Sequence, residues 1–170
     1  MSVTLTPIGE QIGELPLWMQ VLMASRAVRR AVLTCRDGID KRIMTKALDA
    51  VDSCAAYGFW EWQEERAMQA ATARRGRGEP ETSAVREAVF WAVDACMAAE
   101  ASRDFPSAST VTDAVLNAIS TICGDPRYSA TRIEELAAAD LELLRSAVRE
   151  SRLIRTGPGI AAEPVAGGRG

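Results

Sequence analysis

Two aspartates stand where a helix ought to be apolar. Asp140 lies one turn from Leu136 and one from Leu144, inside a stripe that also takes in Ile133, Ala137, Ala147 and Val148. A carboxylate in that phase is costly unless it is paired with a cation or protonated. The expectation is therefore an ion pair with an arginine of a neighbouring helix or a stripe edge that reaches water, or else an acid kept for chemistry or ligand binding. Asp94 poses the same choice: it shares a narrow polar strip with Glu87, seven residues earlier, on a segment otherwise apolar on nearly all sides. Two such acids converging on a cavity are the least a carboxylate-based enzyme would need. Glu61, Glu64 and Glu65 read as a solvated face, with no aspartate or histidine beside them to complete a metal site.

The chain contains no histidine. That removes Ser-His-Asp and Cys-His nucleophile activation, Cys2His2 zinc and the His-bearing di-iron bundle pattern, because each needs the imidazole. Cys35, Cys54, Cys96 and Cys123 show no CxxC or paired spacing and fall on or beside apolar stripes, where free cysteine behaves as a small hydrophobe. No phosphate-binding glycine motif is present; "GRGEP" (76–80) is too short and too charged. No cofactor and no metal are expected, and the reading is of a protein that is not an enzyme.

A different pattern points to recognition. Met19, Met23, Arg26, Arg30 and Leu33 recur at spacings of four, three, four and three, on a face turned away from the Trp18, Val21, Val28 and Val32 stripe of the same helix. Methionine and arginine are enriched at protein interfaces, methionine because it repacks easily. This face, with Trp60, is the expected partner surface, for another protein or a second copy; the competing expectation is a helix sandwiched within its own fold. Residues 26–46 also hold seven basic and two acidic side chains, while 47–66 hold five acidic and one basic. Such a patch would suit an acidic partner or phosphate, but the net charge of −3 makes nucleic acid an unlikely target, and binding there would weaken steeply with salt.

Five helices must position these residues. The first opens at Pro16 and runs to about Arg36, ending near Gly38. The second starts near Ile39 or Asp40 and carries Ile43, Ala47, Leu48, Val51 and Cys54 on one face through "YGFWEW" (57–62) towards Ala73. In an unbroken helix Gly58 and Trp62 fall on the core face, Tyr57 and Phe59 at its margins, and Trp60 opposite; a break at Gly58 would change all of these. "RRGRGEPETS" (74–83) is a loop. The third helix, about 82–102, is apolar on nearly every side and so expected at the centre. The fourth follows "RDFPSAST" (103–110), with Thr110 and Asp113 in capping-box spacing, and ends at Cys123. The fifth spans about 132–155, with Thr131 and Glu134 spaced likewise.

The 170 residues suit one domain. Apolar residues make up 48%, much of it alanine, and aromatics only 5%, which favours close-packed helices over a sheet. The expected organisation is a lead segment at 1–15, an all-α bundle of about five helices at 16–155, and a disordered glycine-rich tail at 156–170. The first sixteen residues lack the basic and apolar regions of a signal peptide, and no apolar run approaches the ~20 residues of a membrane span. A cytoplasmic protein is expected, and eighteen arginines against two lysines fit a GC-rich bacterial genome. The function expected is a non-enzymatic helical interaction module, of which an antitoxin- or immunity-type inhibitor or an assembly subunit would be examples. The alternatives are small-molecule binding or carboxylate catalysis in a bundle-core cavity, and nucleic-acid binding through the 26–46 patch.

Overall fold

A computed structural model describes residues 6–36, 38–57, 61–78, 80–101, 108–149, 153–156 and 159–162, with backbone alone at 6–7, 108–109, 147–149 and the last two segments. The fold is all-α. Among the described residues there are seven α-helices rather than five: α1 Thr6–Gly13, α2 Leu17–Val32, α3 Gly38–Tyr57, α4 Trp62–Ala73, α5 Ser83–Ala101, α6 Ala108–Cys123 and α7 Ala130–Arg149. A single 3-10 turn, Pro80–Thr82, leads into α5.

The two extra helices have separate causes. α1 arises in the stretch expected to be a lead segment, and it belongs to the bundle. Ile12 and Leu15 are buried, Gly9 lies against Leu116, and α1 packs on α6 and α7. The turn from α1 into α2 is tied down by Gln20, buried, whose amide donates to the Leu15 carbonyl (2.9 Å) and accepts from the Thr112 hydroxyl (2.7 Å). A buried amide satisfied on both sides fixes the turn, because leaving it unpaired would cost about 1–3 kcal/mol.

The other extra helix comes from division of the long second helix. Glu61 is extended (φ −96, ψ 177), and its N–H donates to the Glu64 carboxylate, which reaches back to it at 3.2 Å, so α4 begins afresh with its own cap. That new start rotates the phase. Trp62, expected on the core face, is 66% exposed with the Arg66 guanidinium 4.7 Å from its ring centre, and Tyr57 is exposed too. Gly58, Phe59 and Trp60 lie outside the described residues.

α2 is the most enclosed helix. It packs on α3, α5, α6 and α7, and its buried residues run right round it. α5 packs on α2, α3, α4 and α6, burying Val85, Ala88, Val89, Ala92 and Cys96, as its all-round apolar character required. Alanine at so many contact positions lets the axes approach closely, and those small side chains lose little entropy on packing.

Local signals shifted several ends. Pro16 precedes α2 rather than sitting inside it, and Gly38 opens α3 rather than closing α2. Thr110 lies inside α6. The cap of α7 is Ser129, whose hydroxyl accepts from the Arg132 N–H (3.3 Å), rather than Thr131. Beyond α7 the backbone forms an antiparallel hairpin, β1 Leu153–Thr156 with β2 Gly159–Ala162, in the register Thr156↔Gly159. The expected last helix therefore ends at Arg149 rather than about 155. Residues 156 and 159–162, placed by sequence in a disordered tail, are paired in this hairpin, where ladder hydrogen bonds replace those to water.

Candidate functional site

The Met/Arg face of α2 does not form an outer surface. Met19 is 1% exposed and Met23 0%, so both are core. Periodicity showed a second apolar face correctly, but the fold covers it. Leu33 is 61% exposed, just beyond the helix end, and Trp60 lies outside the described residues. The expected partner surface at Met19 and Met23 is thus corrected: these side chains are spent on folding.

Arg26 and Arg30, one turn apart on α2, converge on Asp140 of α7. Arg26 Nε donates to Oδ1 (2.9 Å), and Arg30 places Nη1 on Oδ2 and Nη2 on Oδ1, both at 2.6 Å, in a forked pair. Asp140 is 3% exposed, while both arginines reach partway to water. Charge-assisted forked bonds of this kind fix geometry, and here they lock α2 against α7. Asp140 is an ion-paired anion with both oxygens engaged by arginine.

A second buried ionic cluster has no counterpart in the sequence reading. Asp40, at the start of α3, accepts from Arg74 Nε (2.8 Å) and Arg86 Nη1 (3.0 Å), and Thr82 joins them through its hydroxyl, which also receives Arg86. Burial pushes the Asp40 carboxyl up, but hydrogen bonds and charge from Arg74 and then Arg86 outweigh it and hold the group below the usual carboxylate range. Gly78 (φ +94) roofs the cluster: a Cβ there would stand 2.9 Å from Arg86 Nη1 and 3.0 Å from Asp40 Oδ2. Its positive φ and missing side chain are both required. Arg86 sits on the apolar stripe of α5, a phase signal parallel to that of Asp140.

The basic patch is largely consumed within the fold. Besides Arg26 and Arg30, Arg29 bridges Asp49 (2.8 Å) and Asp52 (2.7 Å) on α3, and Lys41 donates to the Leu33 carbonyl. Four of the seven cations of residues 26–46 thus have partners inside the protein, and Arg36, Arg42 and Lys46 remain exposed. The free cysteines follow the same economy: Cys54, Cys96 and Cys123 are buried, and Cys35 is half-buried with its thiol pushed up by burial. Among the described residues no group of acids, cysteines and histidines could hold a metal ion, and no helix is long and apolar enough to cross a membrane.

Asp94 and Glu87 part company. Glu87 is gripped by Arg75 (2.7 and 2.5 Å), whose guanidinium also lies 3.7 Å over the Phe90 ring. Asp94 lines a groove of about 420 Å3 between α4 and α5, to which Glu65 of α4 also contributes. The groove wall is otherwise mostly apolar: Met68, Ala73, Phe90, Val93 and Met97, the last 46% exposed. Only Met68 and Ala71 of α4 are buried, so this helix lies on the bundle with most of its surface uncovered. Asp140 and Asp94 do not meet: Asp140 is enclosed between α2 and α7, and Asp94 opens between α4 and α5.

Comparison with family models, curated proteins and solved structures returns no match. The class is set by the fold itself: an all-α bundle with two buried arginine–aspartate clusters and an acidic-rimmed apolar groove.

Proposed function

We propose that this protein is a non-enzymatic helical interaction module whose binding surface is the α4/α5 groove, and that its partner presents an amphipathic cationic helix. One observation carries the reading: an apolar groove with Met97 exposed above the buried Met68, and with two carboxylates in its lining, Glu65 from α4 and Asp94 from α5. Methionines repack around varied apolar side chains, and a groove between two helices suits a third laid into it. α4, at twelve residues, is about 18 Å long, room for roughly three turns of a partner helix. Glu61 and Glu64, in the cap and first turn of α4, add negative charge at the Glu65 end of the helix, favouring lysine or arginine flanking the partner's apolar stripe.

The carboxylate-enzyme alternative has less support. It needs two acids in an enclosed cavity, whereas Glu65 is exposed and the groove is open to water along Met97. The nucleic-acid alternative loses the four cations of the 26–46 patch that the fold already engages.

The test uses methyl-labelled methionines and two designed helical peptides, one of leucine and lysine, one of leucine and glutamate. The expected result is a shift of the Met68 and Met97 methyl signals with the lysine peptide only, weakened at least tenfold by the paired Glu65→Lys, Asp94→Lys variant. Equal response to both peptides, or none to either, overturns the proposal. A dimer through this face, seen by sizing and lost in Met97→Glu, would replace the partner helix with a second copy and overturn it equally.

A further inference from the structure

A second cavity, of about 260 Å3, opens between α2, α6 and α7. Its walls are apolar: Ala27 and Ala31 from α2, Ile122 from α6, and Ile133 and Leu136 from α7. Its polar members include three arginines, Arg30, Arg127 and Arg132, and no carboxylate is among its lining residues. A larger cavity of about 680 Å3 adjoins it, sharing Thr34, Arg127 and Tyr128 and adding Cys35, Arg36, Glu81 and Thr82. The Tyr128 and Thr34 hydroxyls, 2.7 Å apart, stand where the two meet.

Two of the three arginines, Arg30 and Arg127, are held in position by carboxylates. Arg30 is fixed by its fork onto Asp140, a carboxylate already shared with Arg26, so two cations face one buried anion beside the cavity. Arg127 is braced on Asp125, whose carboxyl its hydrogen bond holds below the usual range. Arg132 makes only a long contact with Glu135, 3.4 Å, and both are exposed. Arg132 and the N–H groups that Arg30 and Arg127 leave over from their carboxylate partners give a planar anion directional donors beside a dry wall for the rest of the molecule. The cavity is smaller than the ~300–1,000 Å3 of drug-sized sites, which limits the apolar body to a single ring or a short chain.

We propose that this cavity binds a small amphiphilic carboxylate, its head at Arg30, Arg127 and Arg132 and its apolar body against Ile122, Ile133 and Leu136. The site is separate from the α4/α5 groove and stands or falls independently of it. Phosphate esters share the anionic head, but a carboxylate has the planar two-oxygen edge that a guanidinium fork matches.

Titration calorimetry on the full chain with 4-phenylbutyrate, 4-phenylbutyramide and inorganic phosphate separates the contributions. The proposal expects saturable binding of 4-phenylbutyrate, at least tenfold weaker binding of the amide and of phosphate, and weakening with salt. Arg132→Gln, at an exposed position that leaves the Asp140 cluster intact, should weaken the carboxylate at least fivefold and leave the amide unchanged. Leu136→Gln should weaken it similarly through the apolar wall, with the fold checked by circular dichroism. Amide binding equal to the acid, phosphate binding equal to the acid, undiminished binding by both variants, or no binding at low salt would each overturn the assignment.

Discussion

Asp140 holds together what its burial would otherwise push apart, and the order of losses in a mutant series follows from who is left unpaired. In Arg30→Ala, Arg26 still serves Asp140, so the expected cost is about 1–2 kcal/mol, that of a charged hydrogen-bonding partner. In Asp140→Ala both arginines turn to water, which they already touch, for about 1–3 kcal/mol. Removing Arg26 and Arg30 together leaves a carboxylate at 3% exposure without either arginine, and about 3–5 kcal/mol is expected. Urea midpoints of the three variants check the ranking. If the double arginine variant proves the mildest, Asp140 is not an ion-paired anchor.

At the scale of elements, burial divides the helices sharply. α5 contacts four other helices and α2 four, whereas α4 commits only Met68 and Ala71 to the interior. The free energy needed to open a segment follows its buried apolar contacts, so α4 should open well below the global unfolding free energy. Native-state hydrogen exchange is expected to show amides of α4 exchanging at least a hundredfold faster than those at the centre of α5. Equal protection would mean that α4 is anchored by more than its two buried side chains. The same loose seating serves the proposed groove, because a helix with few commitments adjusts its spacing to a partner at little cost.

For the whole molecule, the pH dependence of stability follows from which groups titrate. Asp40 and Asp125 have folded values below the ordinary aspartate range, so the unfolded chain takes up protons first as the pH falls. Their contribution is complete above about pH 4 and is lost as the pH drops through the folded values. With no histidine, no side chain of ordinary pKa titrates between pH 5 and 8. Urea midpoints should therefore be flat from pH 5 to 8 and decline below about pH 4, less steeply in Asp40→Asn. A marked slope near pH 6.5 would require a titrating group that neither sequence nor fold accounts for.

The helical class, the centrality of α5 and the closure of histidine chemistry were legible in the sequence, because they depend on composition and on a 3.6-residue period carried by each segment alone. The inward phase of Asp140 was legible too, and with it an arginine pair as one of the expected solutions, but not which arginine: Arg26 lies 114 residues away. Periodicity reports that a face is apolar; it does not report what covers it, so Met19 and Met23 looked like an interface and proved to be core. It also assumes an unbroken axis, and the fresh start of α4 at Glu61 turned Trp62 from core to solvent. The Asp40, Arg74 and Arg86 cluster, the acidic-rimmed groove and the arginine-lined cavity join segments distant in the chain. Only tertiary packing decided them, since burial and charge pairing belong to the assembled helices and not to any one stretch of residues.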